Sequence, residues 1–268
     1  MTKIDTLGDD MMNSESIQLT TSDGPFTLAL FRPATSAPLP PVLFAMDGFG
    51  PRETLYQMAR RIAAAGYVVA LPDLYHRVGS ILDLVPAGVP RDVPSLLPLL
   101  FSDQELRSRF RDRYFASATQ PDHVRTDLSA TLDYLRSRPD VRPGPAGIVG
   151  YCLGGHIALR AAALFGSQLG AVASFHGGHL VTDAADSPHL GAPQIRARVL
   201  VVGAQEDATF SEASKERLAA VLQAAQVRHH IETYPGRHGF CVPDLPSYDA
   251  ALAERHYAEL AELFAATL

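Results

Sequence analysis

The sequence predicts an α/β fold in which a mainly parallel β-sheet carries helices on both faces. Runs of five to eight apolar residues alternate with longer amphipathic stretches along most of the chain. Buried parallel strands and the helices that cover them produce this alternation. Near the N-terminus, two apolar runs flank Asp23-Gly24. An Asp-Gly pair favours a tight turn, which adds an N-terminal antiparallel hairpin to the prediction.

The first half of the chain supplies the hairpin and one strand–helix–strand unit. Apolar residues in 53–67 recur with helical spacing, and Gly66 is suited to end that helix because glycine tolerates a left-handed backbone. The predicted elements are the hairpin 16–34, the strand 41–50, the helix 53–67 and the strand 68–75.

Two segments fall outside this pattern. Residues 1–15 are acidic and lack an apolar run, and we expect them to be flexible. Residues 78–120 contain several prolines followed by a charged helical stretch. A connection of this length is uncommon unless it has its own structure or a role at a site. We therefore predict that residues 78–120 form a surface excursion near the functional site of a single domain, 1–268.

The second half of the chain continues the alternation to the C-terminus. The predicted helices are 123–139, 153–166, 211–225 and 248–267, and the predicted strands are 146–151, 170–177, 198–205 and 228–236.

The composition argues against several classes of partner. The formal net charge is −6 and no block of Lys and Arg occurs, so we expect neither nucleic acid nor an anionic membrane as a partner. The sequence contains no run of about 18 apolar residues, which argues against a transmembrane helix. The N-terminus lacks the apolar segment of a secretory signal. Two cysteines cannot form a disulfide framework. These features predict a cytoplasmic protein with free thiols.

One of the cysteines lies in a motif that bears on function. Gly150-Tyr151-Cys152-Leu153-Gly154 follows a predicted strand and precedes a predicted helix. This is the G-x-S-x-G nucleophile elbow with cysteine in place of serine. Glycines are needed because larger side chains would collide in so sharp a turn, and the helix N-terminus favours a thiolate. The alternative is a tight turn in which Cys152 is a small apolar filler.

Other reactive groups follow predicted strands, where the ligands of such sheets gather. They include Asp47, Asp207 and His238, and the order Cys152, Asp207, His238 is that of a nucleophile, acid and base. Glu206 is a rival acid. Either acid could instead cap the helix that begins near Ser211, and His238 could be an ordinary loop histidine.

Three further residues are given structural interpretations. His176 and His179 could suggest a metal pair, but no carboxylate accompanies them at a convincing spacing, and we expect loop histidines that line the pocket and no metal site. Cys241 is expected to be a buried, small apolar residue.

The segments "LPDLYHR", "GYCLGG", "SFHGG", "GAQEDATF" and "RHGF" resemble the dienelactone hydrolase family of the α/β-hydrolase fold. The resemblance extends from "VLFAMDGFG" to the last helix. It implies a cysteine–aspartate–histidine triad, which falls on Cys152, Asp207 and His238. It also implies an oxyanion hole formed by the backbone amides of Leu153 and Gly48.

The same resemblance assigns two more residues and shows one departure. The family's acid that contacts the thiol is a glutamate, and Asp47 stands at its position. The family's carboxylate-binding arginine corresponds to Arg77, whose alternative role is an ion pair that holds the 78–120 excursion. Val242 stands at the position of a second family arginine. The nearby Arg237 lies at a different position and is not assumed to replace it. This departure weakens the case for dienelactone itself more than the case for hydrolysis.

The expected function is a cysteine-dependent hydrolase that forms a thioester with an ester or lactone. The substrate is a small molecule that, by the resemblance, can carry a carboxylate. No cofactor is required, and a monomer or small homo-oligomer is expected. One alternative is an acyltransferase with the same triad. Another is a non-catalytic member that binds a ligand or senses oxidants, although Asp207 and His238 would then be unnecessary.

Overall fold

The structure, a computed structural model, describes residues 12–268. Its strands are β1 (Met12–Thr21), β2 (Gly24–Pro33), β3 (Pro41–Ala45), β4 (Val68–Pro72), β5 (Ala146–Tyr151), β6 (Leu169–Phe175), β7 (Arg198–Glu206) and β8 (His229–Arg237). Its helices are α1 (Glu53–Ala64), α2 (Val93–Ser102), α3 (Gln104–Arg109), α4 (Ala116–Thr119), α5 (Pro121–Ser137), α6 (Leu153–Phe165), α7 (Glu212–Ala224) and α8 (Ala250–Ala265).

The strands form one eight-stranded sheet in the order β1-β2-β4-β3-β5-β6-β7-β8. β1 and β2 pair antiparallel, β2 runs antiparallel to β4, and every pair from β4 to β8 is parallel. Every residue of β3, β4 and β5 is buried, as expected for parallel strands covered on both faces. The predicted mainly parallel sheet and N-terminal hairpin are confirmed.

The helices cover both faces of the sheet. A Cβ atom at Gly147 of β5 would lie 2.9 Å from Phe264 of α8, whereas one at Gly150 would lie 1.9 Å from the carbonyl oxygen of Gly154 in α6. Positions of odd and even number along a strand point to opposite faces. The two helices therefore pack on opposite sides, and α1 joins α8 through the salt bridge between Arg61 and Glu254.

Several element boundaries differ from the predicted ones by a few residues. Residues 12–15 of the expected flexible segment instead form the start of β1, paired with 30–33 of β2; residues 1–11 lie outside the described residues. β4 ends at Pro72, earlier than predicted, because the Asp73 carboxylate accepts the Tyr75 N–H at 2.9 Å and begins a turn. α1 ends at Ala64, before the predicted end at 67, and Gly66 just after it has the left-handed backbone expected there, with a φ of +99°.

The 78–120 excursion is mostly helical. It contains a 3₁₀ turn (Ile81–Leu84), α2, α3, a π-helical turn (Phe110–Phe115) and α4. The π-helical turn lies over the strand ends, since a Cβ atom at Gly48 would meet the Phe110 ring at 3.1 Å. Phe115 makes an edge contact with His179 in the loop after β6, with ring centroids 5.7 Å apart. The excursion thus covers the edge of the sheet at which Cys152 lies.

Within residues 12–268, no helix combines the length and the hydropathy that a membrane crossing requires.

Packing between β3 and α6 predicts that Gly154→Ala is strongly destabilising. The new Cβ would lie 2.1 Å from the carbonyl oxygen of Ala45, and backbone cannot yield as a flexible side chain can. We expect the free energy of unfolding, measured by urea denaturation, to fall by about 3 kcal/mol or more. Gly24→Ala is the control, since its φ is +114° but no atom lies within 4 Å of the new Cβ. It should cost about 1 kcal/mol, and equal losses would contradict the packing argument.

Candidate active site

The turn between β5 and α6 presents the Cys152 side chain at the edge of the sheet. Cys152 has a φ of 54° and a ψ of −114°, a conformation that is strained for a residue with a side chain. Gly150 and Gly154 permit it, because a Cβ on either would collide with backbone at 1.9 and 2.1 Å. Leu153 begins α6 directly afterwards. Cys152 is partly exposed, so its sulfur is held beside a helix N-terminus and remains accessible.

His238 and Asp207 complete a chain of hydrogen bonds with this sulfur. His238 Nε2 lies 3.0 Å from Cys152 Sγ, and His238 Nδ1 lies 2.7 Å from Asp207 Oδ2. The other carboxylate oxygen of Asp207 accepts the N–H and hydroxyl of Thr209 at 2.8 and 2.6 Å. The Asp207 side chain is only 1% exposed, so these contacts fix both of its oxygens. The imidazole is consequently oriented with Nε2 toward the sulfur.

The pKa values of His238 and Asp207 favour an imidazolium beside a carboxylate. Burial alone would lower the pKa of His238, but negative charge on Cys152 and the hydrogen bond to Asp207 raise it well above its usual value. Burial alone would raise the pKa of Asp207, but the contacts with His238 and Thr209 bring it below its usual value. His238 can therefore carry a proton at neutral pH next to the Asp207 carboxylate, and an imidazolium beside a cysteine favours the thiolate form.

The two backbone N–H groups that the resemblance assigns to an oxyanion hole, those of Leu153 and Gly48, have no partner in the described part of the chain that would compete with a substrate oxygen. Leu153 is the first residue of α6, and the first N–H groups of a helix have no intrahelical acceptor. Among residues 12–268, the N–H of Gly48 has no hydrogen-bond acceptor in the protein. Tyr75 donates its hydroxyl hydrogen to the Gly48 carbonyl oxygen at 2.9 Å. That buried hydrogen bond holds the Gly48 loop in place.

Asp47 has a different partner from the one expected. Its two carboxylate oxygens accept hydrogen bonds from Arg52 at 2.7 and 2.8 Å, and it makes no hydrogen bond with the Cys152 sulfur. Arg52 also donates to both oxygens of Asp244, at 2.6 and 2.8 Å. The bidentate match between guanidinium and carboxylate accounts for this preference. Asp47 thus serves in a clamp between the Gly48 loop and the loop after His238.

Arg77 also lies in contacts that the substrate-binding prediction did not anticipate. Its guanidinium donates to both oxygens of Asp127 in α5 at 2.7 Å and to Asp23 of the hairpin turn at 2.6 and 2.9 Å. The Asp127 side chain is 2% exposed and receives a further contact from His76. The contacts of Arg77 are those of a structural ion pair. This pair joins the hairpin to α5 rather than holding the excursion.

Several secondary expectations have a clear outcome. Glu206 is 74% exposed and contacts Arg237, and Ser211 alone caps α7, so neither acid serves as that cap. Cys241 is buried, as predicted, and burial raises the pKa of its thiol well above the usual range. His176 does not line a pocket, because it is completely buried behind Cys152.

Sequence reasoning missed the residues that support the loops around Cys152 from a distance along the chain. Arg52 lies 192 positions from Asp244, a separation that no local pattern reports. Tyr75 belongs to "LPDLYHR", and its hydroxyl role depends on where the Gly48 loop comes to rest. His176 was singled out by the sequence, but its contact with Cys152 follows from the pairing of β5 with β6.

Strand order, the sharp turn at Cys152 and the helices on both faces define an α/β-hydrolase. The profile of the dienelactone hydrolase family matches residues 26–268. The chain therefore belongs to the dienelactone hydrolase family and is a hydrolase, which confirms the resemblance found in the sequence.

Individual relatives agree with this assignment. A protein of Synechocystis sp. with the provisional name carboxymethylenebutenolidase is 27% identical over 241 residues, which cover 88% of this chain and 89% of the relative. A protein of Escherichia coli K12 with the same provisional name is 30% identical over 241 residues, covering 87% of this chain and 79% of the relative.

A solved structure shares the fold. This crystal structure is provisionally described as a dienelactone hydrolase from Klebsiella pneumoniae. It superposes with a TM-score of 0.76 at 24% identity, covering 95% of this chain and 98% of the other. At this level of identity the likeness establishes the fold alone.

The contacts of the two neighbouring acids predict opposite effects of their amide variants. Asp207→Asn removes the charge that stabilises the His238 imidazolium and disturbs its tautomer, so kcat should fall on the order of 1,000-fold or more. Glu206→Gln, the matched control at an exposed side chain, should change kcat by less than about twofold. Steady-state hydrolysis of a nitrophenyl ester measures both. The reverse ranking would assign the acid to Glu206.

The ion pairs of Arg77 predict an effect on stability and none on substrate preference. Arg77→Ala leaves the buried Asp127 without its main partner, so the free energy of unfolding should fall by about 3 kcal/mol. KM should change equally for carboxylate-bearing and neutral esters. Arg91→Ala, which breaks an exposed pair with Asp83, is the control and should cost under about 0.5 kcal/mol. A KM increase confined to carboxylate-bearing esters, with stability unchanged, would restore the substrate-binding role.

Proposed function

We propose that this protein is a cysteine-dependent hydrolase that cleaves a small ester or lactone through a thioester intermediate. One observation carries the proposal. The Cys152 sulfur, the His238 imidazole and the Asp207 carboxylate form a continuous chain with contacts of 3.0 and 2.7 Å. These are the distances at which a base activates a nucleophile and an acid orients the base. The family membership supports hydrolysis independently of this geometry.

Acylation begins with the Cys152 thiolate and the His238 imidazolium. The thiolate attacks the substrate carbonyl carbon, and the carbonyl oxygen becomes an oxyanion. The N–H groups of Leu153 and Gly48 stabilise that negative charge. As the tetrahedral intermediate collapses, the C–O bond breaks and His238 gives its proton to the departing alkoxide oxygen. With a lactone, that hydroxyl stays attached to the acyl group.

Deacylation uses the same residues in the opposite proton direction. Neutral His238 accepts a proton from water, and the resulting hydroxide attacks the thioester carbonyl carbon. The second tetrahedral intermediate expels the Cys152 thiolate and leaves His238 protonated. Asp207 keeps Nε2 directed at the reacting atoms in both halves. No redox partner or external proton carrier is needed, so every step balances with water alone.

The proposed substrates are small molecules, and the proposed setting is a reducing compartment. The provisional name of the two relatives, carboxymethylenebutenolidase, makes a small lactone the first compound to test. Because the guanidinium of Arg77 is engaged by Asp127 and Asp23, the proposal does not require a carboxylate on the substrate. A mechanism with a free thiol fits the cytoplasm, where thiols stay reduced. A monomer or small homo-oligomer stays a prediction.

Replacement of the nucleophile gives the direct test of this proposal. Cys152→Ala should lower kcat on the order of a million-fold, because it removes the atom that forms the intermediate. Cys241→Ala is the matched control, a buried cysteine outside the hydrogen-bond chain, and should keep turnover within about twofold. An ester and lactone panel measures both variants. Retention of a few per cent of wild-type activity by Cys152→Ala would contradict the thiol mechanism.

The acyltransferase alternative has its own test. When an alcohol is added as acceptor, acyl transfer would be detected as formation of a new ester.

A further inference from the structure

The buried His176 is the strongest feature that the triad mechanism leaves without a role. It follows the last residue of β6 and is completely buried. Its backbone has a φ of +39°, which is uncommon for a residue other than glycine. Its own N–H donates to the Val202 carbonyl oxygen at 2.8 Å. The sheet therefore holds the side chain of His176 in one place, directly behind the nucleophile.

His176 contacts the nucleophile through its ring. The backbone N–H of Cys152 donates to two acceptors, the Phe175 carbonyl oxygen at 3.1 Å and His176 Nδ1 at 3.2 Å. A backbone N–H can only donate, so Nδ1 is unprotonated and the ring proton lies on Nε2. The contact acts on the residue whose backbone is strained by the sharp turn.

The remainder of the ring has an unfavourable environment. Among residues 12–268, the buried Nε2 of His176 has no hydrogen-bond acceptor. A buried donor without an acceptor costs about 1–3 kcal/mol. An apolar side chain would avoid that cost, and a glycine would avoid the positive φ. Two unfavourable features at one position beside the nucleophile indicate that the Nδ1 contact has a function.

Ionisable groups face His176 from several elements. His238 follows β8, with ring centroids 5.2 Å apart. The negative charge of Asp207, which follows β7, favours protonation of the ring, whereas His256 of α8 opposes it. Burial, reinforced by His238, holds the pKa of His176 well below its usual value. A neutral ring matters here, because a second cation beside His238 would oppose the imidazolium that the thiolate requires.

We infer that His176 is a positioning residue that fixes the Cys152 backbone by accepting its N–H, so that the sulfur keeps its contact with His238. The inference rests on the proposed function, since it assigns His176 a purpose in the same reaction. His176 does not touch the reacting atoms. Its effect passes through the distance between Sγ and Nε2, which is 3.0 Å.

Two substitutions separate the hydrogen bond from the ring. His176→Phe keeps an aromatic ring and removes the acceptor. His176→Asn removes the ring but places an amide oxygen near the position of Nδ1, and Asn tolerates a positive φ. If the Phe variant does not fold, His176→Ala replaces it, because alanine also lacks an acceptor. His156→Leu is the matched control, another buried histidine with no contact to the triad.

The two measurements are steady-state kinetics and alkylation of Cys152 by iodoacetamide, located by mass spectrometry. We expect His176→Phe to lower kcat by about tenfold and to change KM by less than about twofold. A tenfold lower kcat corresponds to a rise of about 1.4 kcal/mol in the activation free energy. Alkylation should slow by about tenfold at pH 6.5 but little at pH 9.5, where free thiols ionise unaided. His176→Asn should recover both rates to within about threefold, and His156→Leu should change neither.

Three results would overturn the inference. Equal impairment of the Phe and Asn variants would show that the ring, and not the acceptor, matters. Unchanged kcat in both would show that the contact has no role, and losses that match the unfolded fraction would show a role in stability alone. The alkylation rates do not depend on hydrolysis. If Cys152→Ala keeps wild-type turnover, the proposed function fails, whereas the alkylation rates still decide whether His176 positions Cys152.

Discussion

The site depends on one backbone constraint, the sharp turn that places Cys152 between β5 and α6. The positive φ of Cys152 directs its sulfur away from the sheet and toward His238. The turn exists only because Gly150 and Gly154 let the helix lie within backbone contact of the strands. That close packing also sets the N-terminus of α6 beside the sulfur. The exposed position of Cys152 and the helix N-terminus beside it are therefore consequences of the same turn.

Charged groups around this turn are divided into two separate networks. In one, a line of short contacts joins Asp207, His238 and Cys152. In the other, Arg52 holds Asp47 and Asp244 in a bidentate clamp. The clamp neutralises the Asp47 carboxylate, which is 1% exposed and would otherwise oppose a thiolate at the same edge of the sheet. It also ties the Gly48 loop to the loop after His238, so these two loops are held together.

Sequence patterns anticipated the parts of the site that local rules govern. The G-x-C-x-G turn, the alternation of strands and helices, and the positions of Asp207 and His238 after β7 and β8 all follow from short-range spacing. The partners of Asp47 and Arg77 did not, because each is captured by an ion from a distant segment. Arg52 requires Asp244, and Arg77 requires Asp127 and Asp23. Which oppositely charged groups meet is decided by tertiary packing, and a single sequence carries no direct record of it.

A covalent acyl adduct on Cys152 is the most direct test of the account. An activated ester is mixed with the protein, quenched in acid within the first turnover and analysed by intact-mass and peptide mass spectrometry. The account predicts one acyl group per chain, on the peptide that contains Cys152, and its disappearance as the ester is consumed. Hydrolysis at the wild-type rate with no adduct on Cys152, or with the adduct on another residue, would contradict it.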